Sequence, residues 1–346
     1  MKIASREVRL KQRPRGIPDI DNFEIVEVMV PEPHINQVLV RNIYMSVDPY
    51  MRNRMGETKS YLPSFQVDKP MLGGCVGEVV DSKNEHFQKG DYVLGFRGWR
   101  EYYISSGKGL TTLDPSIAPI QTYLGVLGMP GLTAYVGLLD IGGLKEGETV
   151  FVSAAAGAVG SLVCQIAKIK GCRVVASAGT NEKVEWLMEE AKVDAAFNYK
   201  EVEKLRLTLG EHCPDGIDLY FENVGGEHLE AAIFHMNTFG RIVVCGMISM
   251  YNNLALEAGP RNLPMITTKR LRIKGFLVSD HYDREPMFLD DMREWIAAGA
   301  IRWRETIVEG IENAPRAFLG LFKGENIGKM LVQVGSHKAP EVVNKT

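Results

Sequence analysis

The hydrophobic pattern of the chain changes its period near residue 123. Before that point, short apolar or alternating runs follow one another with Pro and Gly between them. These runs predict β-strands at 23–30, 37–44, 77–81 and 92–96. Strands without intervening helices indicate a mostly antiparallel β domain, built as a small barrel or sandwich.

From residue 148 the pattern alternates between short apolar runs and segments with helical spacing. Strands are predicted at 150–152, 173–177, 195–197, 218–221, 241–245 and 273–278. Helices are predicted at 159–170, 182–192, 202–209, 227–236 and 284–298. This order indicates an α/β domain with a doubly wound parallel sheet and right-handed crossovers. The preceding stretch, 123–139, is also predicted to be helical, with a break at Pro130 and Gly131.

The last part of the chain returns to short strands. They are predicted at 305–309 and 329–334, with a helix at 314–322 between them. Such a segment is too short to form its own core, so we expect it to complete the N-terminal β domain. The sequence therefore predicts a β domain at 1–122, a Rossmann domain at 123–298 and a C-terminal return at 299–346.

The turn after the first predicted strand of the second domain carries the pattern Ala155-x-Gly157-x-x-Gly160. This is the dinucleotide-binding fingerprint with its first glycine replaced by alanine. Small residues let a pyrophosphate approach the backbone amides at the start of the following helix. By itself the pattern fits an alanine-rich helix start equally well. The strand–helix alternation that follows favours nucleotide binding.

The cofactor preference is indicated by the residues that follow the second strand of this domain. In enzymes that use NAD, an Asp or Glu about 20 residues beyond the glycine turn binds the ribose 2′-hydroxyl. Here that position falls on Ser177, Ala178 and Gly179, without a carboxylate. Lys183 follows on the next predicted helix, where its ammonium would meet a 2′-phosphate. A lysine there also fits a solvated ion pair with a neighbouring carboxylate, but the whole pattern favours NADP(H) over NAD.

Composition and charge narrow the function classes. The chain has 346 residues, 45% of them hydrophobic, and a formal net charge of −3. These values fit two folded domains and argue against a nucleic-acid-binding surface. No apolar run approaches the roughly 18 residues that span a bilayer, and the basic N-terminus lacks the apolar segment of a secretory signal. We therefore expect a cytoplasmic protein that contacts neither nucleic acid nor membrane.

Five short motifs are spread over both predicted domains. They are Asp48-Pro49-Tyr50-Met51-Arg52, Asn198-Tyr199-Lys200, Glu222-Asn223-Val224-Gly225-Gly226, Gly246-Met247-Ile248-Ser249-x-Tyr251 and Gly324-Glu325-Asn326-Ile327-Gly328-Lys329. Together with the domain order, they resemble the medium-chain dehydrogenase/reductase superfamily, in the branch of prostaglandin reductases, plant 2-alkenal reductases and bacterial curcumin reductases. The resemblance implies a GroES-like β domain beside the Rossmann domain, and a homodimer. It also implies NADPH-dependent reduction of the C=C bond of α,β-unsaturated aldehydes or ketones.

Zinc-dependent members of the superfamily bind the metal through a cysteine after the first core strands and through a Gly-His-Glu segment. In this sequence the corresponding segments, 44–48 and 72–77, contain neither arrangement, and Cys75 alone falls in that region. No two of the seven histidines have metal-ligand spacing, and the five cysteines form no C-x-x-C pair. We therefore expect no zinc and no disulfide framework.

The resemblance also implies which residues contact the cofactor. Lys183 and Tyr199 would contact the 2′-phosphate, and segments 245–247 and 276–278 the nicotinamide half. Met129 and Thr133 would approach the nicotinamide ribose, although both equally fit helix packing. Asn223 would bind at a strand end, although 223–226 also fits a turn selected for positive φ. The full predicted set is Met129, Thr133, Ala155, Gly157, Ala158, Val159, Gly160, Lys183, Tyr199, Asn223, Cys245, Gly246, Met247, Phe276, Leu277, Val278 and Asn326.

Three tyrosines are candidates for the substrate pocket: Tyr50, Tyr251 and Tyr282. A phenol donates a hydrogen bond to a carbonyl, and its ring forms an apolar wall for a lipid-like or aryl tail. The resemblance places Tyr50 and Tyr251 in the cleft between the domains as the catalytic pair. Tyr251 would stabilise enolate charge together with a ribose hydroxyl of the cofactor. Each tyrosine also fits a role in loop packing, Tyr282 above all.

The predicted reaction delivers hydride to the β-carbon and a proton to the α-carbon of a small enal or enone. Two other functions fit the same pattern: a quinone oxidoreductase of the same superfamily, and an NADPH-binding protein without catalysis. The pairing of Tyr50 with Tyr251 favours catalysis over the second alternative.

Overall fold

The structure is a computed structural model that describes residues 2–57, 60–254 and 258–335. Its first part forms a hairpin of β1 (Ile3–Leu10) and β2 (Phe23–Val30) beside a larger sheet. The strands of the first part in that sheet are β3 (Val38–Ser46), β4 (Cys75–Ser82), β5 (Tyr92–Gly95), β6 (Tyr102–Ser105) and β7 (Thr111–Leu113). A short helix, α1 (Met51–Met55), follows β3.

The middle of the chain forms a six-stranded parallel sheet. Its strands are β8 (Thr149–Val152), β9 (Arg173–Ala178), β10 (Ala195–Asn198), β11 (Ile217–Glu222), β12 (Met236–Val244) and β13 (Arg272–Gly275). They lie in the order β10-β9-β8-β11-β12-β13. The accompanying helices are α2 (Met129–Tyr135), α3 (Gly160–Ile169), α4 (Asn181–Glu189), α5 (Leu205–His212), α6 (Gly226–His235), α7 (Pro264–Lys269) and α8 (Glu285–Ala297).

The central strands of this sheet are buried on both faces. In β8, Val150 and Val152 pack into one apolar cluster and Phe151 packs into another. Because consecutive side chains of a strand point to opposite faces, the two clusters are the cores on the two sides of the sheet. This burial explains why the strand is a continuous apolar run.

The end of the chain completes the first sheet. β14 (Glu305–Glu309) and β15 (Lys329–Gln333) pair in parallel, and β15 pairs antiparallel with β3. Helix α9 (Ala314–Lys323) connects these two strands, and its Phe318 packs edge to face on Phe23 and Trp99 in the core of the β domain. The resulting order is β14-β15-β3-β4-β5-β7, with β6 paired to β3.

These sheets confirm the predicted fold class, a Rossmann domain with a mostly antiparallel β domain that the C-terminal segment completes. The domain boundaries after residues 122 and 298 stay a prediction. Residues 336–346 of the predicted C-terminal return lie outside the described residues.

Two local differences have physical reasons. The predicted break in the helical run lies slightly earlier, at 125–128, and Pro130 lies in the first turn of α2, where its missing N–H removes no helical hydrogen bond. The chain then continues through a π-helical turn at Val136–Ile141. The apolar pattern does not predict β1, because Ser5 and Glu7 are buried there, and Glu7 is paired with Arg9 at 2.6 Å.

Candidate active site

The predicted cofactor residues follow the carboxyl ends of all six parallel strands. β8 and β11 are neighbours in the sheet although β9 and β10 lie between them in sequence. The strand order therefore reverses between β8 and β11, and open α/β sheets bind their ligands at such a point. The residues are Ala155, Gly157, Ala158, Val159 and Gly160 after β8, Lys183 after β9, Tyr199 after β10, Asn223 after β11, Cys245, Gly246 and Met247 after β12, and Phe276, Leu277 and Val278 after β13.

The turn between β8 and α3 has a backbone that fits a pyrophosphate. The Ala155 amide donates to the Ser177 carbonyl of β9 at 3.0 Å, which fixes the turn on the neighbouring strand. A Cβ at Gly160 would lie 2.5 Å from the Ala154 carbonyl oxygen, so the start of α3 packs closely enough to require glycine. In the described structure no side chain caps the N-terminus of α3. The Ser161 and Leu162 amides donate to the Gly157 and Val159 carbonyls at 3.0 and 3.1 Å, whereas in this described turn the amides of 158–160 donate to no backbone carbonyl and can meet an anion.

Two lysines and a tyrosine lie together beside Gly179, at the end of β9. A Cβ at Gly179 would lie 3.3 Å from both the Tyr199 hydroxyl and Lys200 Cε. Lys183 Nζ donates to the Gly324 carbonyl at 2.7 Å. This contact differs from the alternative prediction, a solvated ion pair between Lys183 and a neighbouring carboxylate. The pKa of Lys183 is lowered by burial and by the neighbouring Lys200 charge. Two close ammonium groups fit a dianionic phosphate, which would attract both.

Sequence reasoning missed Lys200 and His228 in this pocket. Lys200 directly follows Tyr199 in one of the motifs, so the motif itself was a sufficient signal. The His228 ring lies edge to face on the Tyr199 ring with centroids 4.8 Å apart, and burial lowers the pKa of His228 to about 4. The imidazole is therefore neutral at neutral pH and supports the Tyr199 ring by packing.

The loop after β11 is shaped by a buried carboxylate that the sequence analysis does not single out. Glu222 Oε1 accepts hydrogen bonds from the Tyr220 hydroxyl at 2.7 Å, the Val224 amide at 2.6 Å and the Gly225 amide at 2.9 Å. Burial raises the pKa of Glu222. These bonds hold the loop against the strand that carries it.

Asn223 turns its side chain towards the glycine turn. Its side-chain amide donates to the Ser153 carbonyl at 2.8 Å, and its backbone amide donates to the Ser153 hydroxyl at 3.0 Å. Gly225 and Gly226 have φ of +81° and +55°, so this turn does require residues that tolerate positive φ. The same turn therefore explains the two glycines and places Asn223 beside the predicted pyrophosphate position.

The loop before β15 lies against the glycine turn. The Gly328 amide donates to the Ala156 carbonyl at 2.8 Å, and the Asn326 side chain donates to the Gly328 carbonyl at 2.7 Å. Asn326 is thus placed beside the predicted site, with one side-chain donor used inside its own loop.

Met129 and Thr133 lie in α2, and Phe276 and Val278 follow β13. Met129 begins α2, and Thr133 is buried with its hydroxyl donating to the Met129 carbonyl at 2.7 Å. A Cβ at Gly137 would lie 2.7 Å from the Phe276 ring, so these two residues are in close contact. Val278 begins the short helix that carries Tyr282.

Two tyrosines of the β domain, Tyr50 and Tyr61, lie near two tyrosines of the Rossmann domain, Tyr251 and Tyr282. Tyr50 interacts electrostatically with Tyr61 and Tyr282, and Tyr61 interacts with Tyr251. Phenols are protonated at neutral pH at their ordinary pKa of about 10, and burial raises the pKa of Tyr50, Tyr61 and Tyr251 further, so each can donate a hydrogen bond. Sequence reasoning missed Tyr61 because it lies in a loop outside every motif; in the structure the residue is 51% exposed.

The Tyr251 hydroxyl reaches back over the loop after β12. It accepts a long hydrogen bond from the Met247 amide at 3.4 Å, and a Cβ at Gly246 would lie 2.9 Å from it. Gly246 therefore leaves the space that the hydroxyl occupies. Cys245 lies at the same loop, and burial raises the pKa of its thiol to about 12.

The described residues contain neither a cluster of metal ligands nor a membrane-spanning helix. Within 2–57, 60–254 and 258–335, no group of three or more His, Cys, Asp or Glu side chains could hold a metal ion. Cys75 is fully buried in β4, and burial raises its pKa to about 11. Among the helices of the described chain, none is both long and apolar enough to cross a bilayer.

A Rossmann sheet with a glycine turn after its first strand and a lysine after its second is typical of nicotinamide-dependent oxidoreductases. Matches between segments of the chain and known protein families support this class of protein. Residues 6–113 match the family described as the N-terminal domain of oxidoreductase, and residues 158–294 match the family described as zinc-binding dehydrogenase.

Individual relatives narrow the class. The chain is 46% identical to the NADP(+)-dependent 2-alkenal reductase of Nicotiana tabacum, over 96% of this chain and 98% of that one. It is 45% identical to the NADPH-dependent curcumin reductase of Escherichia coli, over 94% of this chain and 95% of that one. The crystal structure of CurA from Vibrio vulnificus in complex with NADPH superposes with a TM-score of 0.91 at 43% identity, covering 96% of this chain and 100% of that one. The chain belongs to the medium-chain dehydrogenase/reductase superfamily, in the branch of these reductases, and is an NADP-dependent oxidoreductase.

Proposed function

We propose that the protein reduces the C=C bond of α,β-unsaturated aldehydes and ketones with NADPH and without a metal ion. The observation that carries the proposal is the position of the Tyr251 hydroxyl, which lies over Gly246 and 3.4 Å from the Met247 amide in the loop after β12, at the carboxyl edge of the parallel sheet. The names of two relatives, a 2-alkenal reductase and a curcumin reductase, support the same substrate class.

The residues of the site would divide the work between binding and charge stabilisation. NADPH supplies the hydride when it is bound. The glycine turn 155–160 would hold the pyrophosphate, and Lys183, Lys200 and Tyr199 the 2′-phosphate. The Tyr251 hydroxyl would donate to the substrate carbonyl oxygen, where enolate charge develops once the β-carbon has received hydride. Tyr50 would orient the apolar tail, and solvent would supply the proton at the α-carbon.

Product analysis with isotope labelling tests this function. A medium-chain 2-alkenal with NADPH should give the saturated aldehyde and no allylic alcohol, and turnover should survive a metal chelator. Deuteride from labelled NADPH should appear on the β-carbon, with the α-hydrogen coming from solvent. An allylic alcohol, or loss of turnover to the chelator, would contradict the proposal. Turnover of quinones alone would indicate a quinone reductase, and NADPH binding without any turnover would indicate a binding protein.

We also propose that the protein forms a homodimer through β13. This strand ends the six-stranded sheet and all four of its residues are exposed, including Ile273. An exposed edge strand offers unpaired backbone groups to another chain, and a two-fold axis would pair β13 with its own copy. Light scattering should give about twice the chain mass of 38.5 kDa. Ile273→Lys should shift the protein towards monomer, and a monomeric native protein would exclude the proposal.

A further inference from the structure

Arg52 links the β domain to the Rossmann domain, close in sequence to Tyr50 and in contact with the residue that follows Tyr251. It lies in α1, two residues after Tyr50, and is only 9% exposed. Its Nε donates to the Asn252 side-chain oxygen at 3.0 Å, and its Nη2 donates to the Gly16 carbonyl at 2.7 Å. Asn252 directly follows Tyr251. One guanidinium therefore ties α1 and the N-terminal loop at Gly16 to the part of the Rossmann domain that presents Tyr251.

The Gly16 loop also packs against the same part of the chain. A Cβ at Gly16 would lie 3.4 Å from Leu254 Cγ and 3.7 Å from the Asn252 carbonyl oxygen. Gly16 has φ of +76°, a conformation that favours glycine, so the loop reaches this distance without a side chain in between. Two segments of the β domain thus meet residues 252–254 directly.

The segment that carries Tyr251 is anchored at both ends. At its beginning, the Ile248 amide donates to the Asn223 carbonyl at 3.1 Å, and the Ser249 amide donates to the Val224 carbonyl at 3.0 Å. At its end, Asn252 is held by Arg52. Between these anchors the backbone makes only local bonds, such as the Tyr251 amide to the Ile248 carbonyl at 3.3 Å. The Rossmann domain therefore fixes one side of Tyr251, and the β domain fixes the other.

We propose that Arg52 is a positioning residue for the reduction reaction, which holds the Tyr251 hydroxyl at the substrate carbonyl through its bonds to Asn252 and Gly16. This inference rests on the proposed function and adds the device that aligns its donor across two domains. The planar guanidinium suits this role because its two donors have a fixed relative direction, which a lysine cannot reproduce. Misplacement of a catalytic group by about 1 Å can lower a rate on the order of a hundredfold.

The test compares Arg52→Met, Arg52→Lys and a control, Arg13→Met. Arg13 Nη1 donates to the Met55 and Gly56 carbonyls at the end of α1, at 2.9 and 3.0 Å, so the control also removes two hydrogen bonds from an arginine at this helix. We expect Arg52→Met to lower kcat at least about tenfold with an unchanged Kd for NADPH. Arg52→Lys should recover part of the loss, and Arg13→Met should leave kcat unchanged.

A double variant separates positioning from a general structural role. If Arg52 acts through Tyr251, Arg52→Met should cost little in a Tyr251→Phe background, because the hydroxyl that it positions is already absent. If the losses in kcat of Arg52→Met and Tyr251→Phe multiply in the double variant, the proposal is overturned. An equal loss of kcat in Arg13→Met would overturn it as well, because the effect would then belong to α1 as a whole.

Hydrogen–deuterium exchange provides a readout that needs no substrate. Backbone amides of 247–252 should exchange faster in Arg52→Met than in the native protein or in Arg13→Met, while 160–169 should be unchanged. Unchanged exchange at 247–252 would overturn the inference. If the native protein reduces no enal or enone, the proposed function fails by itself, and the exchange measurement still decides whether Arg52 holds this segment.

Discussion

Replacing Tyr251 with phenylalanine is expected to lower kcat for a 2-alkenal by about tenfold to a hundredfold and to leave the Kd for NADPH unchanged. The substitution removes only the hydroxyl, which is a donor at neutral pH and whose pKa burial raises further above the ordinary value of about 10. Loss of one donor to a developing oxyanion costs on the order of a hundredfold to a thousandfold in kcat. We expect the smaller loss of about tenfold to a hundredfold because a ribose hydroxyl of the cofactor can share the charge. Steady-state kinetics and fluorescence titration with NADPH measure the two quantities.

The control for this variant is Tyr102→Phe, which removes a phenol hydroxyl from β6, outside the cleft. It should change neither kcat nor KM. The ratio of native to Tyr251→Phe rates should also be constant from about pH 6 to 9, because a pKa raised above the ordinary value of about 10 keeps the phenol protonated throughout. A higher KM with unchanged kcat would assign Tyr251 to substrate binding alone.

The parallel sheet could be predicted because burial on both faces leaves an unmistakable apolar run, as in Val150, Phe151 and Val152. The antiparallel sheet was harder to predict from the same principle. β6 and β7 are four and three residues long, too short for alternation to be distinct from chance. In β1, buried Ser5 and Glu7 interrupt the apolar pattern: Ser5 accepts a hydrogen bond from the Tyr102 amide, 97 residues away, and Glu7 is paired with Arg9 on the same strand.

The site shows the same division between local and distant information. The glycine turn, Lys183 and Asn223 could be predicted because each follows a strand directly, and carboxyl ends of parallel strands share one edge. Tyr61 could not be predicted, because its loop has no sequence pattern and its role depends on the nearby Tyr251, which only the folded chain brings close. The bond between Arg52 and Asn252 spans 200 residues of sequence and depends on the relative placement of two sheets, which no local pattern encodes.

Removing the charge of either lysine beside Gly179 is expected to remove most of the preference for NADPH over NADH. Lys183→Gln and Lys200→Gln each take one positive charge from this pocket. A hydrogen bond to a charged group contributes about 1.5–3 kcal/mol, so each variant should raise the Kd for NADPH by about tenfold to a hundredfold. The Kd for NADH should stay nearly unchanged, because NADH lacks the phosphate.

Glutamine is the informative replacement at residue 183. Its side-chain amide can still donate to the Gly324 carbonyl, which Lys183 Nζ contacts at 2.7 Å, so the loop before β15 can keep this hydrogen bond. Lys204→Gln, at an exposed lysine before α5, removes an equal charge outside the pocket and should change neither Kd. Calorimetric titrations of both nucleotides at one ionic strength make the comparison, because salt screens these charges. Parallel losses for NADPH and NADH would place the 2′-phosphate elsewhere, since only a contact to that phosphate can weaken one nucleotide and spare the other.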